Sequence, residues 1–241
     1  MFLQLNSELP QFCERLNAAS GFEALNLLST LALAAPSVIG WRLLRGIPTR
    51  DLSHLLLVLL AAMLPLSQVV VHGFRPSWTS LADQIPQGLF ALTVFVIVFW
   101  RKLGLSAPMA ALNILGFCFL ALMVRRIMPL TPLGDLGTMA PAVLLLVITG
   151  GILMGQGRDE ERQRSYAVAV QGATAAEKQR CGRLIMVAGL VLAVSLLVRM
   201  LDLPLCKAVP VGLHWLWQIG AAVVGTLLVV AVMGEKAPAR V

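Results

Sequence analysis

Seven apolar runs of about twenty residues constrain this chain more than any other feature. They are Phe22–Leu44, Leu52–His72, Leu81–Trp100, Pro108–Val124, Leu136–Met154, Leu184–Leu201 and Val211–Met233. A helix of about 20 apolar residues crosses the hydrocarbon core of a bilayer, where every backbone group must find its partner within the protein. Of the 241 residues 58% are hydrophobic and 13% charged, against roughly 25% charged in a soluble domain. Spans and short connections use up the length. The expected fold is all-α: one integral-membrane bundle of seven transmembrane helices, with no soluble domain and no internal repeat. The polar stretch Met1–Gly21 carries Glu8 and Glu14 and does not read as a cleavable signal peptide. The one long connection, Gly155–Arg183, reads as a charged, mobile or partly helical loop without chemistry.

Orientation follows from the basic residues. The N-terminus and the connections on its side hold six of the nineteen Lys and Arg: Arg15, Arg75, Arg125, Arg126, Arg199 and Lys207. The other thirteen, among them Arg42, Arg45, Arg50, Arg101 and Lys102, lie on the opposite side, which the positive-inside rule assigns to the cytoplasm. The N-terminus is then outside and the C-terminus cytoplasmic. The net charge of +7 sits in these flanks, so it reads as a topology signal and excludes nucleic acid as a partner.

With that orientation the polar residues gather at the outer boundary. His72 ends the second span, Asp83 begins the third and His214 begins the seventh. Cys13, Glu14 and Glu23 flank the start of the first, while Arg199, Asp202 and Cys206 close the sixth. Ionisable groups at bilayer depth are costly and mark function. A catalytic zinc takes about three protein ligands and an open position for water, whose proton a nearby carboxylate accepts. His72 and His214 read as two ligands, and Asp83 as a third ligand or the base. Gln218, four residues after His214, shares its helical face one turn deeper; a neutral amide is a poor zinc ligand. Taken singly, each has a plainer reading: interfacial histidines, an aspartate capping its helix, tryptophans 215 and 217 in an interfacial belt. His54, at the inner face, reads as such an interfacial histidine.

The chain resembles the alkaline ceramidases, within the superfamily of seven-helix membrane hydrolases that includes the adiponectin receptors. The likeness runs from about Cys13 to Gln218. It rests on Cys13-Glu14-Arg15 and Glu23-Ala-Leu-Asn26, then on Val71-His72 followed by Ser80-Leu-Ala-Asp83-Gln-Ile-Pro86. Arg199-Met-Leu-Asp202-Leu-Pro-Leu-Cys206 and Gly212-Leu-His214-Trp-Leu-Trp-Gln218 complete it. Each segment alone is weak; their order and depth make the set specific.

The resemblance implies a zinc-dependent amidase: three histidine ligands, an aspartate on the metal-bound water and a serine near the oxyanion. His72 and His214 match two ligands and Asp83 the aspartate. Gln218 stands where the third histidine belongs. Gln68 stands in the serine's place, with Ser67 beside it about 100° around the helix. A calcium site near the N-terminus is matched by Glu14 and Glu23, with Gln11 where an acidic residue is expected. The resemblance also places matching cysteines together, so a Cys13–Cys206 disulfide is expected; both lie on the outer side, where oxidation is permitted. The implied function is an intramembrane, metal-dependent hydrolase cleaving the amide of a ceramide-like N-acyl sphingoid lipid drawn from the bilayer. With Gln218 in the third position its zinc is expected to be weakly held or absent, and its site to face the periplasmic side of a bacterial inner membrane. The alternative is a catalytically impaired relative that binds a lipid in the same cavity. A transporter or channel is disfavoured because the inner half of the spans shows no ionisable residue that would mark a pathway.

Overall fold

A computed structural model of the chain describes residues 13–14, 23–47, 52–74, 79–127, 139–163 and 174–234. All regular structure among them is helical, and seven helices are long and apolar enough to cross a membrane. They are α1 (Ala24–Gly46), α2 (Leu52–Val69), α3 (Thr79–Ile97), α4 (Ala107–Ile127), α5 (Ala140–Gln163), α6 (Ala175–Leu201) and α7 (His214–Met233).

Proline shapes the helices that carry the site. Within α1 the ladder tightens to a 3-10 segment over Thr30–Ala34 and resumes as α-helix at Ala35–Gly46. Pro36 enters this second segment at its first turn, where its missing N–H is tolerated. In α2, Pro65 interrupts the ladder, and the helix finishes in a π-helical turn over Val70–Phe74. That wider turn holds His72, and such turns recur at functional sites.

α7 is the central helix: half of its span is buried, against 6% for α4 at the periphery. It packs on α6 and α1 and touches α2 and α3. Lipid tails are as apolar as leucine, so helix association rests on close packing, which small residues permit. A Cβ on Gly182 would lie 2.6 Å from the Gly150 carbonyl, so α5 and α6 meet backbone to backbone. On α7 a Cβ at Gly225 would meet Pro36 Cγ at 2.9 Å, so the glycine makes room for the proline. Leu57, Val94, Ile97, Val98, Leu153, Ile185 and Val229 form the buried core, while Leu112, Phe119, Leu190 and Leu197 are exposed where lipid would lie.

The seven spans expected from hydropathy are present, but two of them run further than their apolar runs. α5 continues to Gln163 and α6 begins at Ala175, so residues 155–163 and 175–183 of the expected loop are helix. A hydropathy window stops at the first charges, whereas the helix continues on local bonds. Thr174 and Glu177 form a capping box, and Lys178 pairs with Glu160 and Gln179 with Glu161 across the two helices. A second correction concerns buried ionisable groups away from the expected site. Lys102, at the end of the π-helical turn Val98–Lys102 that follows α3, and His54, in the first turn of α2, are both buried.

Candidate functional site

One end of the bundle gathers the start of α1, the end of α2, the end of α6 and the start of α7. Glu23 immediately precedes α1 but does not cap it. Glu14 does so instead, its two carboxylate oxygens accepting the N–H groups of Leu25 at 2.7 Å and Asn26 at 2.9 Å. This releases Glu23 to turn inward. Its Oε2 lies 2.6 Å from His72 Nδ1 and accepts from Asn26 Nδ2 at 3.1 Å. Glu23, Asn26 and His72 are all buried, so both partners of the carboxylate are needed to offset its loss of water.

The other ring nitrogen of His72 faces α7. Gln218 Nε2 lies 2.7 Å from His72 Nε2, and Gln218 Oε1 accepts from Ser29 Oγ at 2.8 Å. Read as donors and acceptors, the bonds form one directed chain. Ser29 Oγ also lies 2.8 Å from Asn26 O, so its one proton is shared between that carbonyl and Gln218; Gln218 is assigned as donor to His72, and His72 through Nδ1 to Glu23. His214 stands beside it, its ring centroid 5.4 Å from that of His72 and tilted by 54°.

Asp202 ties His214 down. Buried at the end of α6, it accepts from Leu213 N at 2.6 Å and His214 N at 3.0 Å through Oδ1, and from Cys13 N at 3.0 Å through Oδ2. The carboxylate thus caps α7 from another helix, where negative charge at a helix N-terminus is favoured. Gly212 makes room for it: φ is +71°, and a side chain there would run into Asp202 Oδ1 and lie 2.6 Å from Cys13 Cβ. The expected Cys13–Cys206 disulfide is present, with Cα atoms 5.4 Å apart. Arg199 also lies over the Trp217 ring, 5.2 Å from its centroid.

Of His72, Asp83 and His214, expected to converge at one depth, the structure brings the two histidines together, with Gln218, one turn deeper on the face of His214, against His72. Asp83 lies within α3, and its side chain is outside the described residues. Ser67 is buried, and its hydroxyl donates to Leu64 O of its own helix at 2.8 Å. Gln68 is buried beside it. Of the expected calcium site, Gln11 lies outside the described residues, and Glu14 and Glu23 have partners within the protein. Calcium takes six to eight oxygens, and these carboxylates are engaged by N–H donors, Glu14 as a helix cap and Glu23 on His72 and Asn26. Asn26 and Ser29, absent from the sequence-based site, belong to it; their spacing of three and six residues after Glu23 was the available signal.

His72 and Gln218 do not fit as two ligands of one zinc through the nitrogens that face each other, while the side chain of Asp83, another expected ligand, lies outside the described residues. A tetrahedral zinc with ligands at ~2.1 Å sets neighbouring ligand atoms about 3.4 Å apart. His72 Nε2 and Gln218 Nε2, at 2.7 Å, are instead at hydrogen-bond distance. Among the described residues no group of three His, Cys, Asp or Glu side chains is arranged to hold a metal. The carboxylate behind His72 is the one feature that metal-bound histidines share. Compared with known proteins, the chain matches no family model, no curated protein and no solved structure.

Proposed function

We propose that this chain is a ceramidase-like membrane protein that receives the amide region of an N-acyl sphingoid or related lipid at its outer end and holds it without rapid cleavage. The observation that carries this reading is an acceptor without a donor. Asn26 Oδ1 is buried and makes no hydrogen bond among the described residues, although Nδ2 of the same amide is fixed on Glu23. Flipping Asn26 would aim its oxygen at a carboxylate, so the amide stays as drawn and Oδ1 awaits a donor. A lipid amide N–H or sphingoid hydroxyl supplies one, while its chains lie among the apolar side chains of the bundle. A buried acceptor left bare costs about 1–3 kcal/mol, so a ligand that pairs it gains affinity. The charge distribution along the sequence supports an orientation with this end away from the cytoplasm.

A second reading, metal-dependent hydrolysis of the same amide, is favoured by the neighbouring His72 and His214 rings and by Glu23 behind His72. The test separates the two. Purified protein in detergent is titrated with a fluorescent N-acyl sphingoid lipid, and fatty-acid release is followed in the same samples. The expected result is saturable binding with negligible release, weakened about tenfold by Asn26→Leu. Steady release of fatty acid by the native chain moves the assignment to the hydrolase. Absence of saturable binding overturns both readings.

A further inference from the structure

We infer that Gln218 stands in the place of a metal, and that the outer site is a metal-independent hydrogen-bonded chain running from Ser29 through Gln218 and His72 to Glu23. This rests on the site described above but not on the identity of its lipid.

Three features carry it. First, Gln218 is buried and both ends of its amide are engaged: the nitrogen by His72 Nε2, the oxygen by Ser29. The imidazole nitrogen that faces α7, and would bind an ion held between α2 and α7, already has a partner. Second, the separation of 2.7 Å leaves no room for an ion between the two groups, which would have to part by about 0.7 Å for a shared zinc. Third, the chain is complete in donors and acceptors. His72 accepts at Nε2 and donates at Nδ1, and the run terminates on a carboxylate that receives a second bond from Asn26. Gln218 thereby does what a metal does for a ligating histidine, holding the ring's orientation and tautomer from the side opposite the carboxylate.

Histidine at 218 would lack this arrangement. Its ring carries its two polar atoms as nitrogens, one of them an acceptor in the neutral form, so pairing both His72 and Ser29 and adding an ion are competing demands. Glutamate at 218 keeps the side-chain length and supplies only acceptors, which an ion satisfies better than His72 Nε2 does.

The native chain, Gln218→His and Gln218→Glu are purified in detergent, exposed to zinc and desalted. Bound metal is measured by mass spectrometry, and thermal unfolding is followed with and without chelator. The native chain is expected to carry far less than one zinc per molecule and to melt at the same temperature in both conditions. At least one variant is expected to retain zinc and to melt several degrees lower after chelation. Two variants guard against a folding failure in one, and a third, Gln218→Leu, should melt lower than the native chain whatever the metal, because it removes the partner of His72 Nε2 and one of the two acceptors of Ser29. A native chain that keeps one zinc per molecule, or melts lower on chelation, overturns the inference. So do folded His and Glu variants that both remain zinc-free. Because metal content and melting are read without lipid, a failure here is distinguishable from a failure of lipid binding.

Discussion

Replacing Asp202 with alanine removes the carboxylate that joins three segments at the site. Its oxygens accept from the N–H groups of Cys13, Leu213 and His214, and the residue is buried. A hydrogen bond to a charged group contributes about 1.5–3 kcal/mol. If water replaces the acceptor for one of the three donors, two bonds are lost, or about 3–6 kcal/mol. In a chain of this size each kcal/mol moves the melting temperature by roughly 2–4 °C, so Asp202→Ala should lower it by on the order of 10 °C. Asp202→Asn keeps an oxygen for Leu213 and His214 but turns an NH2 group toward Cys13 N–H. It loses one bond and should fall by about half as much. Unfolding in detergent can be followed by fluorescence, because Trp215 and Trp217 lie in the first turn of α7 that Asp202 caps. The disulfide is retained in both variants, so Cys13 stays close and the difference isolates the carboxylate. An alanine variant melting within ~1 °C of the native chain, or an asparagine variant no more stable than alanine, would refute the reasoning.

Two further outcomes are expected. Gly212→Ala should cost about 1–3 kcal/mol, because φ is +71° and the new Cβ collides with Asp202 and Cys13; thermal unfolding checks the loss, and non-reducing mass spectrometry checks whether the Cys13–Cys206 bond still forms. A reporter active only in the cytoplasm should give signal when inserted after Gln163 and when fused after Gly234; silence at either position rejects the orientation drawn from the basic residues.

The seven helices were legible in the sequence because membrane insertion is a local property: a run of apolar residues of the right length must satisfy its own backbone bonds. The nearness of His72 and His214 was legible as well, since residues at the ends of spans share a depth, and that of Gln218 from its spacing of four after His214. A partly helical connection between α5 and α6 was among the expectations, but not where those helices end, because these turns are held by Thr174, Glu177 and pairs between the helices rather than by apolar content. Nor did the sequence divide the acidic residues correctly. Glu14 and Glu23 look alike in the chain, yet one caps α1 and the other turns onto His72; which does which depends on where the segment around Cys13 is pinned by Cys206 and Asp202. The decisive fact at the site, an amide nitrogen 2.7 Å from an imidazole nitrogen, belongs to the tertiary structure alone. A helical face places Gln218 toward His72 to within a few ångströms, but the difference between a hydrogen bond and a shared metal is about 0.7 Å, set by how closely α7 packs on α1 and α2.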